Sequence, residues 1–425
     1  MGTPSLPADL AIDLRQLVMT IAHTVDLVGV DDLLHGRRVG MLACELARQL
    51  GWDEKTQLLL YDAGLLHDCG VSSTRVHRRL VADLEWAGAE AHCLRGEELL
   101  ADFAPLAHLS PIIRYHHSRW AWLQKQPSLP AATALHANLI FLADRIDVLA
   151  APFHADQTVL AHADEIRARL SAERGRLFAP ELVDAFLALS AGEAFWLALQ
   201  PDSVREYQGE MEGHGELRMV GWNEFKRCAD IFARIIDAKS PYTEQHSRGV
   251  AGLSRHLAGR LGFDAVACEK IEVAGLLHDI GKLQIPDEII EGRAALTAQE
   301  FNVMKSHSYG TRQVLKRLHA IDEISRWASY HHETPDGCGY PFHVGGAALP
   351  LEARIINVAD IFQALAQQRP YREPLPPEKI LAILRQRAAL GRADATVVEA
   401  IAGDLDNCHR IALCQERDPR PAAEG

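Results

Sequence analysis

Five histidines and two aspartates in the C-terminal half of the chain could do chemistry together: His246, the pair His278-Asp279, His307, the pair His331-His332, and Asp360. Most adjoin strongly apolar runs. Asp360 is the sharpest case, because it sits inside IINVADIF, where a helix face is expected to be buried. An unpaired carboxylate there would cost on the order of several kcal/mol, so it needs a cation or strong donors. Imidazoles suit first-row transition metals, and a carboxylate can bridge two of them. Seven N/O donors exceed what one catalytic metal needs, so a two-metal site fits the count. A lone histidine is ordinarily a core or surface residue, and His278-Asp279 by itself could be a structural hydrogen-bonded pair.

The set recurs. HGRRVGMLACELARQLGWDEKTQLLLYDAGLLHDCG, from His35, aligns without a gap on HSRGVAGLSRHLAGRLGFDAVACEKIEVAGLLHDIG, from His246, at an offset of 211 positions. Downstream, His92 pairs with His307 and His116-His117 with His331-His332 at an offset of 215, and Asp144 pairs with Asp360 at 216. The chain is a tandem duplication. Drift would erase solvent-exposed histidines, so recurrence of the whole set favours a metal site over isolated structural roles.

The elements that must position these residues read as helices. Leu253, Leu257 and Leu261 repeat at helical spacing, Gly262 suits a helix C-cap, and a second apolar-periodic segment runs from about Asp264 to Asp279. WNEFKRCADIFARIIDAKS looks like the first helix of the second copy. Alternation of β-branched residues is almost absent, so the expected fold is all-α: two tandem helical domains, 1–199 and 222–425, joined by a polar, glycine-containing linker over 200–221. RDPRPAAEG at the C-terminus reads as a frayed tail.

Composition excludes several classes of function. Forty-four basic against fifty-seven acidic residues give a net charge of −13 over 425 residues, with no block of like charge, so a DNA or RNA polymer is not an expected partner. The start lacks a basic region followed by an apolar one, and no window reaches the roughly eighteen apolar residues of a membrane span. The expectation is a soluble cytoplasmic protein with no membrane contact. Eight cysteines without a CxxC pair argue against a disulfide framework or a thiolate zinc site.

LLHDIGK at 276–282, HSYG at 307–310, HHE at 331–333 and DGCGYP at 336–341 occur in an order that closely resembles the HD-GYP branch of the HD-domain metal-dependent phosphohydrolases, over about residues 222–415. The resemblance implies an all-helical domain, which with the duplication makes two tandem HD-type domains, hydrolysing cyclic di-GMP to linear pGpG and, in some members, onward to GMP. By that resemblance His246, His278, Asp279 and Asp360 would hold one divalent ion and His307, His331 and His332 another, with Asp279 bridging and iron or manganese the expected metals. A water shared by two cations loses a proton near neutral pH and attacks phosphorus. Lys282, four residues after His278, would reach the scissile phosphate as a point charge, which makes Asp279 and Lys282 the catalytic pair. Gly339, Tyr340 and Pro341 would shape the substrate site, and Arg369 and Arg372 would grip the substrate phosphates. Two readings stand beside this one: a non-catalytic cyclic di-GMP-binding signalling protein, and a phosphohydrolase for another cyclic dinucleotide or nucleotide. A homodimer or a signalling partner protein stays open.

Some positions depart from the family pattern. Tyr242 stands where trinuclear members have Glu, and Glu244 is two residues out of place for that role, which favours two metals over three. Thr334, Gln363 and Gly292 replace residues that are common in the family, and each could alter substrate grip. The first copy keeps His35, His67, Asp68, His92, His116, His117 and Asp144, a second metal site. Yet Val71 stands at the position of Lys282, HHSRWAWLQKQPSLP lacks the DGxGYP loop, and Phe153 and Asp156 fall where the two arginines would be. The expectation is a degenerate domain that docks on the catalytic one and senses a ligand or metal. Its rival is an independent phosphohydrolase acting on a smaller substrate.

Overall fold

The duplication in the sequence is a duplication of helices. The computed structural model describes residues 11–29, 34–71, 73–82, 84–214, 218–239, 245–292, 296–368 and 373–415. These residues are all-α apart from a two-residue antiparallel ribbon, Ile12–Asp13 against Met219–Val220. They cluster into two units, one containing Ile12–Val220 and the other the described residues from Gly221 onward.

Each unit is built on the same five helices. In the first they are His35–Gln49, Glu54–Leu66, Ala89–Ala101, Ser110–Tyr115 and Ala131–Ala150; in the second, His246–Arg260, Ala265–Leu277, Ala298–Leu315, Asp322–Ser329 and Leu351–Ala366. The repeated sequence repeats its punctuation. Gly51 and Gly262 follow the end of the first helix at φ 73° and 86°. Asp53 and Asp264 then cap the next helix, accepting from Thr56 N and Ala267 N at 2.8 Å each. Such a cap contributes about 1 kcal/mol.

A further helix precedes each set, Leu14–Asp26 and Trp222–Asp237. Its terminal aspartate ties it to the start of the next: Asp26 accepts from Gly36 N at 3.1 Å, and Asp237 accepts from Ser247 Oγ at 2.6 Å. Tyr61, Phe103, Phe141 and Phe178 fill the first core, and Phe225, Phe232 and Phe362 the second. Each large apolar side chain fully buried contributes roughly 1.5–3 kcal/mol, so these rings and the surrounding Leu and Ile set the rigidity on which the site depends.

The segment expected as a linker is folded. Pro201–Glu212 is a helix of the first unit, with Val204 and Met211 buried and Tyr207 Oη donating to Glu45 at 2.9 Å. Its apolar stripe is narrow, Val204, Tyr207 and Met211 on an otherwise charged helix, so mean composition concealed it. The C-terminal tail from 417 lies outside the described residues.

The helix holding His307 crosses the turn after His278-Asp279 at backbone contact. A Cβ on Gly281 would lie 1.9 Å from His307 O, and one on Gly70 would lie 2.0 Å from His92 O. Thr311 seals the crossing in the second unit, accepting from Gly281 N at 3.1 Å and donating to His278 O at 2.9 Å. Gly281→Ala is therefore expected to destabilise the second unit by about 1–3 kcal/mol or more. Chemical denaturation that leaves the midpoint of this variant at the wild-type value would refute the close contact.

Candidate metal centres

Every helix of the five-helix core delivers one part of the cluster. His246 opens the His246–Arg260 helix, His278 closes Ala265–Leu277 with Asp279 just beyond it, and His307 stands mid-helix in Ala298–Leu315. His331 and His332 follow Asp322–Ser329, and Asp360 stands within Leu351–Ala366. His278, His307 and His331 each place Nδ1 against the carbonyl three residues back: Gly275 O at 2.7 Å, Met304 O at 2.6 Å and Ala328 O at 2.7 Å. A carbonyl only accepts, so Nδ1 carries the proton and Nε2 is left with its lone pair. His246 is oriented likewise by Gln363, whose Oε1 lies 2.6 Å from Nδ1.

The freed lone pairs converge. His307 Nε2 and His331 Nε2 are 3.2 Å apart, and Asp279 Oδ1 lies 3.6 and 3.7 Å from them. Two acceptors facing each other across that distance repel unless a positive charge lies between them. On the other side Asp279 Oδ2 is 3.5 Å from His246 Nε2 and 3.2 Å from His278 Nε2, and Asp360 Oδ1 is 3.4 and 3.9 Å from the same nitrogens. Asp279 thus turns one oxygen to each trio, His246/His278/Asp360 and His307/His331/His332, both of which could hold a metal ion. His246 Nε2, His278 Nε2 and Asp279 Oδ1 are buried with no hydrogen-bond partner among the described residues. Orphaned buried acceptors are rare in stable proteins, and here they share one focus, so the donor set fits a divalent-metal centre.

Electrostatics say the same. Burial holds His307 down to about 4 and His332 to about 3, so both are neutral donors. Burial also depresses His278, but the Asp279 charge overrides it and raises the imidazole. Asp279 would be raised by burial and is instead held well below the usual carboxylate range by His278 and Lys282. The site draws positive charge. Lys282 Nζ supplies some, in direct contact with Asp279 Oδ2.

The GYP loop is held by a residue the sequence reading did not single out. Glu333, 1 % exposed, accepts from Phe342 N at 2.7 Å and Val344 N at 3.0 Å, so its carboxylate staples the loop to the paired histidines. Gly339 passes so close that a Cβ would sit 2.4 Å from Glu333 Cα. Tyr340 lies on His332, ring centroids 4.8 Å apart, with Phe301 against its edge at 5.9 Å, and Pro341 follows half-buried. Gln363 orients His246, and Thr334 Oγ1 bonds Asp336 Oδ1 at 2.5 Å within the loop. These contacts position the His246 ring and the loop. Arg369, Arg372, Tyr242 and Glu244 lie outside the described residues.

The first unit assembles its counterpart set. His92 Nε2 and His116 Nε2 are 3.2 Å apart, Asp68 Oδ1 is 3.4 Å from His92, and Asp68 Oδ2 is 3.5 and 3.8 Å from His67 and His35. Asp144 Oδ1 lies 3.5 Å from His35, and Asp144 Oδ2 lies 3.8 Å from His117. His67 Nε2, Asp68 Oδ1 and Asp144 Oδ1 are again without hydrogen-bond partners among the described residues. The surroundings of the cluster differ. Val71 is buried where the second unit has Lys282, and the Arg145 guanidinium grips Asp144 Oδ2 at 2.7 Å, at a position that is Ile361 in the second copy. Phe153 stacks on His162 at 3.6 Å and Asp156 accepts from Thr158 Oγ1 at 2.7 Å, so neither brings a cation to the cluster.

HD-domain family profiles match residues 33–149 and 230–397. The 3'3'-cGAMP-specific phosphodiesterase 1 of Vibrio cholerae serotype O1 is 35% identical over 95% of this chain and 94% of its own length. The chain belongs to the HD-GYP family of HD-domain phosphodiesterases. This HD-GYP protein is also 32% identical to the cyclic di-GMP phosphodiesterase response regulator RpfG of Xanthomonas campestris pv. campestris, over 46% of the chain and 58% of that relative. The crystal structure of the cyclic GMP-AMP specific phosphodiesterase V-cGAP3 of V. cholerae shares the fold, with a TM-score of 0.63 and 23% identity over 97% of this chain and 100% of that one. The chain is thus a metal-dependent HD phosphodiesterase. Among the described residues no helix is long and apolar enough to cross a membrane.

If the orphaned donors hold divalent ions, binding stabilises the fold by about 2.7 kcal/mol per site at a hundredfold excess over Kd. Treatment with a chelator should lower Tm by several degrees, and Mn2+ should restore it. A calorimetric trace indifferent to both would contradict the metal fit.

Proposed function

We propose that the second copy, 222–425, hydrolyses a 3'3'-linked cyclic dinucleotide to its linear form, with 3'3'-cGAMP preferred, and that the first copy, 1–199, is regulatory. The observation that carries the substrate is extent. Relatives named for 3'3'-cGAMP match 95%, 60% and 35% of this chain, the first across both copies, whereas relatives named for cyclic di-GMP match 29% to 46%. Cyclic di-GMP remains the second reading, favoured by those relatives and by the complete HDIGK and GYP motifs of the second copy.

In this reading two divalent cations, iron or manganese by the imidazole-rich donor set, supply the positive charge that a phosphodiester's transition state needs. His246, His278 and Asp360 would hold one, His307, His331 and His332 the other, and Asp279 would serve both. The residues around them do the rest. Gln363 and the backbone carbonyls fix His246, His278, His307 and His331 with Nε2 inward, so these four need no reorganisation when substrate arrives. Lys282, a quarter exposed at the mouth of the cluster, can donate to a phosphoryl oxygen held beside Asp279. Tyr340 covers the outer face of His332 and restricts water there.

Turnover of 3'3'-cGAMP and cyclic di-GMP by Mn2+-loaded and Fe2+-loaded protein tests the proposal. We expect kcat/KM to favour 3'3'-cGAMP by about tenfold or more, worth about 1.4 kcal/mol. Lys282→Ala should lower kcat by about 10²–10³, the usual loss of one transition-state donor. Absence of linear product from either nucleotide under both metals would defeat the reading, and equal rates would defeat the preference.

A further inference from the structure

We propose that the first unit carries a nucleotide-binding site of its own, a cavity over its His/Asp cluster that stacks a purine base on tryptophan and receives a terminal phosphate beside His117. The cavity measures about 880 Å³, within the range of small-molecule sites. Trp86, Tyr115, Trp122 and Phe141 give it an aromatic lining, to which His117 and Arg114 add polar groups.

The walls are organised. Trp122 and Tyr115 have ring centroids 6.0 Å apart, and Phe141 meets His117 edge to face at 5.2 Å. The Trp86 ring lies so close on Gly88 that a Cβ there would come within 2.2 Å of it, and the Arg79 guanidinium lies 5.9 Å from its centroid. Trp122 is 45% exposed, so the core does not account for it.

The two copies explain why the space exists. Trp86 stands six residues before His92, as Phe301 does before His307. In the second unit Phe301 backs Tyr340, and Tyr340 lies on His332. The first copy has no GYP loop, and His117, the counterpart of His332, lines the cavity instead. An aromatic wall is therefore kept while the cover is gone.

Charge sets the orientation. Arg114 already pairs with Glu90 and Glu97 at 3.3 Å each, and Arg119 pairs with Glu85, so the arginines at the rim are balanced. Attraction for an anion would come from a divalent ion at the cluster end, where His117 joins Asp68, His92 and His116 in a group that could hold one. A ligand with a flat base at one end and a phosphate at the other matches that polarity, because bases stack on aromatic side chains whatever their sequence. Val71 in place of lysine, with Arg145 holding Asp144, makes this site suited to retention of a nucleotide and not to cleavage of a diester.

Mononucleotides and linear dinucleotides share this chemistry, while cyclic dinucleotides lack the terminal phosphate. Isothermal titration of the Mn2+-loaded full chain with AMP, GMP, pApG and 3'3'-cGAMP separates them, with adenosine as the phosphate-free control. We expect AMP or GMP, or pApG if the ligand is a linear dinucleotide, to bind one site per chain more tightly than adenosine. Trp122→Ala should weaken that binding tenfold or more, and Trp122→Phe should restore most of it. The exposure of Trp122 makes both variants compatible with folding. The proposal is overturned if none of the terminal-phosphate nucleotides binds, or if binding survives Trp122→Ala and Trp86→Ala unchanged but is lost in Lys282→Ala, which would place it in the second unit.

Discussion

Two imidazole nitrogens held 3.2 Å apart beside a buried carboxylate are the constraint on which each half of this molecule depends. In the second unit both nitrogens accept, because the Nδ1 protons of His307 and His331 are committed to main-chain carbonyls, and the Ser308 hydroxyl, 3.2 Å from His307 Nε2, can reach one of them. The fold spends five helices, two close backbone crossings and a set of orienting acceptors to hold that arrangement. A stable apolar core needs none of this. The arrangement makes physical sense as a receptor for divalent cations, with binding free energy offsetting the desolvation of the donors.

Duplication separates what the metal demands from what the substrate demands. Both units keep seven donors, the carbonyls behind His67 and His116 as behind His278 and His331, and the glycine at the crossing. They differ at the edge of the cluster, where Lys282 corresponds to Val71, Gln363 corresponds to Asp147 and the stapled GYP loop has no counterpart. Asp147 in the first unit meets His35 Nδ1 at 2.7 Å and also the Arg38 guanidinium, so the neutral amide of the second unit replaces a buried ion pair. The second unit thereby presents a cation and a shaped loop beside its cluster, and the first presents a cavity.

Much of this was legible in the sequence, because the residues that bear it are chemically distinctive and keep a fixed offset. The two sets of donors, the helical class and the order of the motifs all follow from His and Asp positions and from leucine spacing. What stayed hidden depends on side chains meeting across helices. Gln363 lies one turn after Asp360, and only the structure shows it reaching His246. Glu333 reads as part of a motif, and its two backbone donors arrive from nine and eleven residues away. Pro201–Glu212 was concealed by its charged face. The cavity of the first unit could not be seen at all, since it is defined by where chain is missing, although the pairing of Trp86 with Phe301 was there to be aligned.

Anomalous X-ray diffraction at the manganese edge from Mn2+-loaded crystals tests the central claim most directly. The account predicts two peaks in the second unit, one on each side of Asp279, within bonding distance of His246 and His278 and of His307 and His331. Density for water alone between those nitrogens, with no anomalous signal, would contradict it.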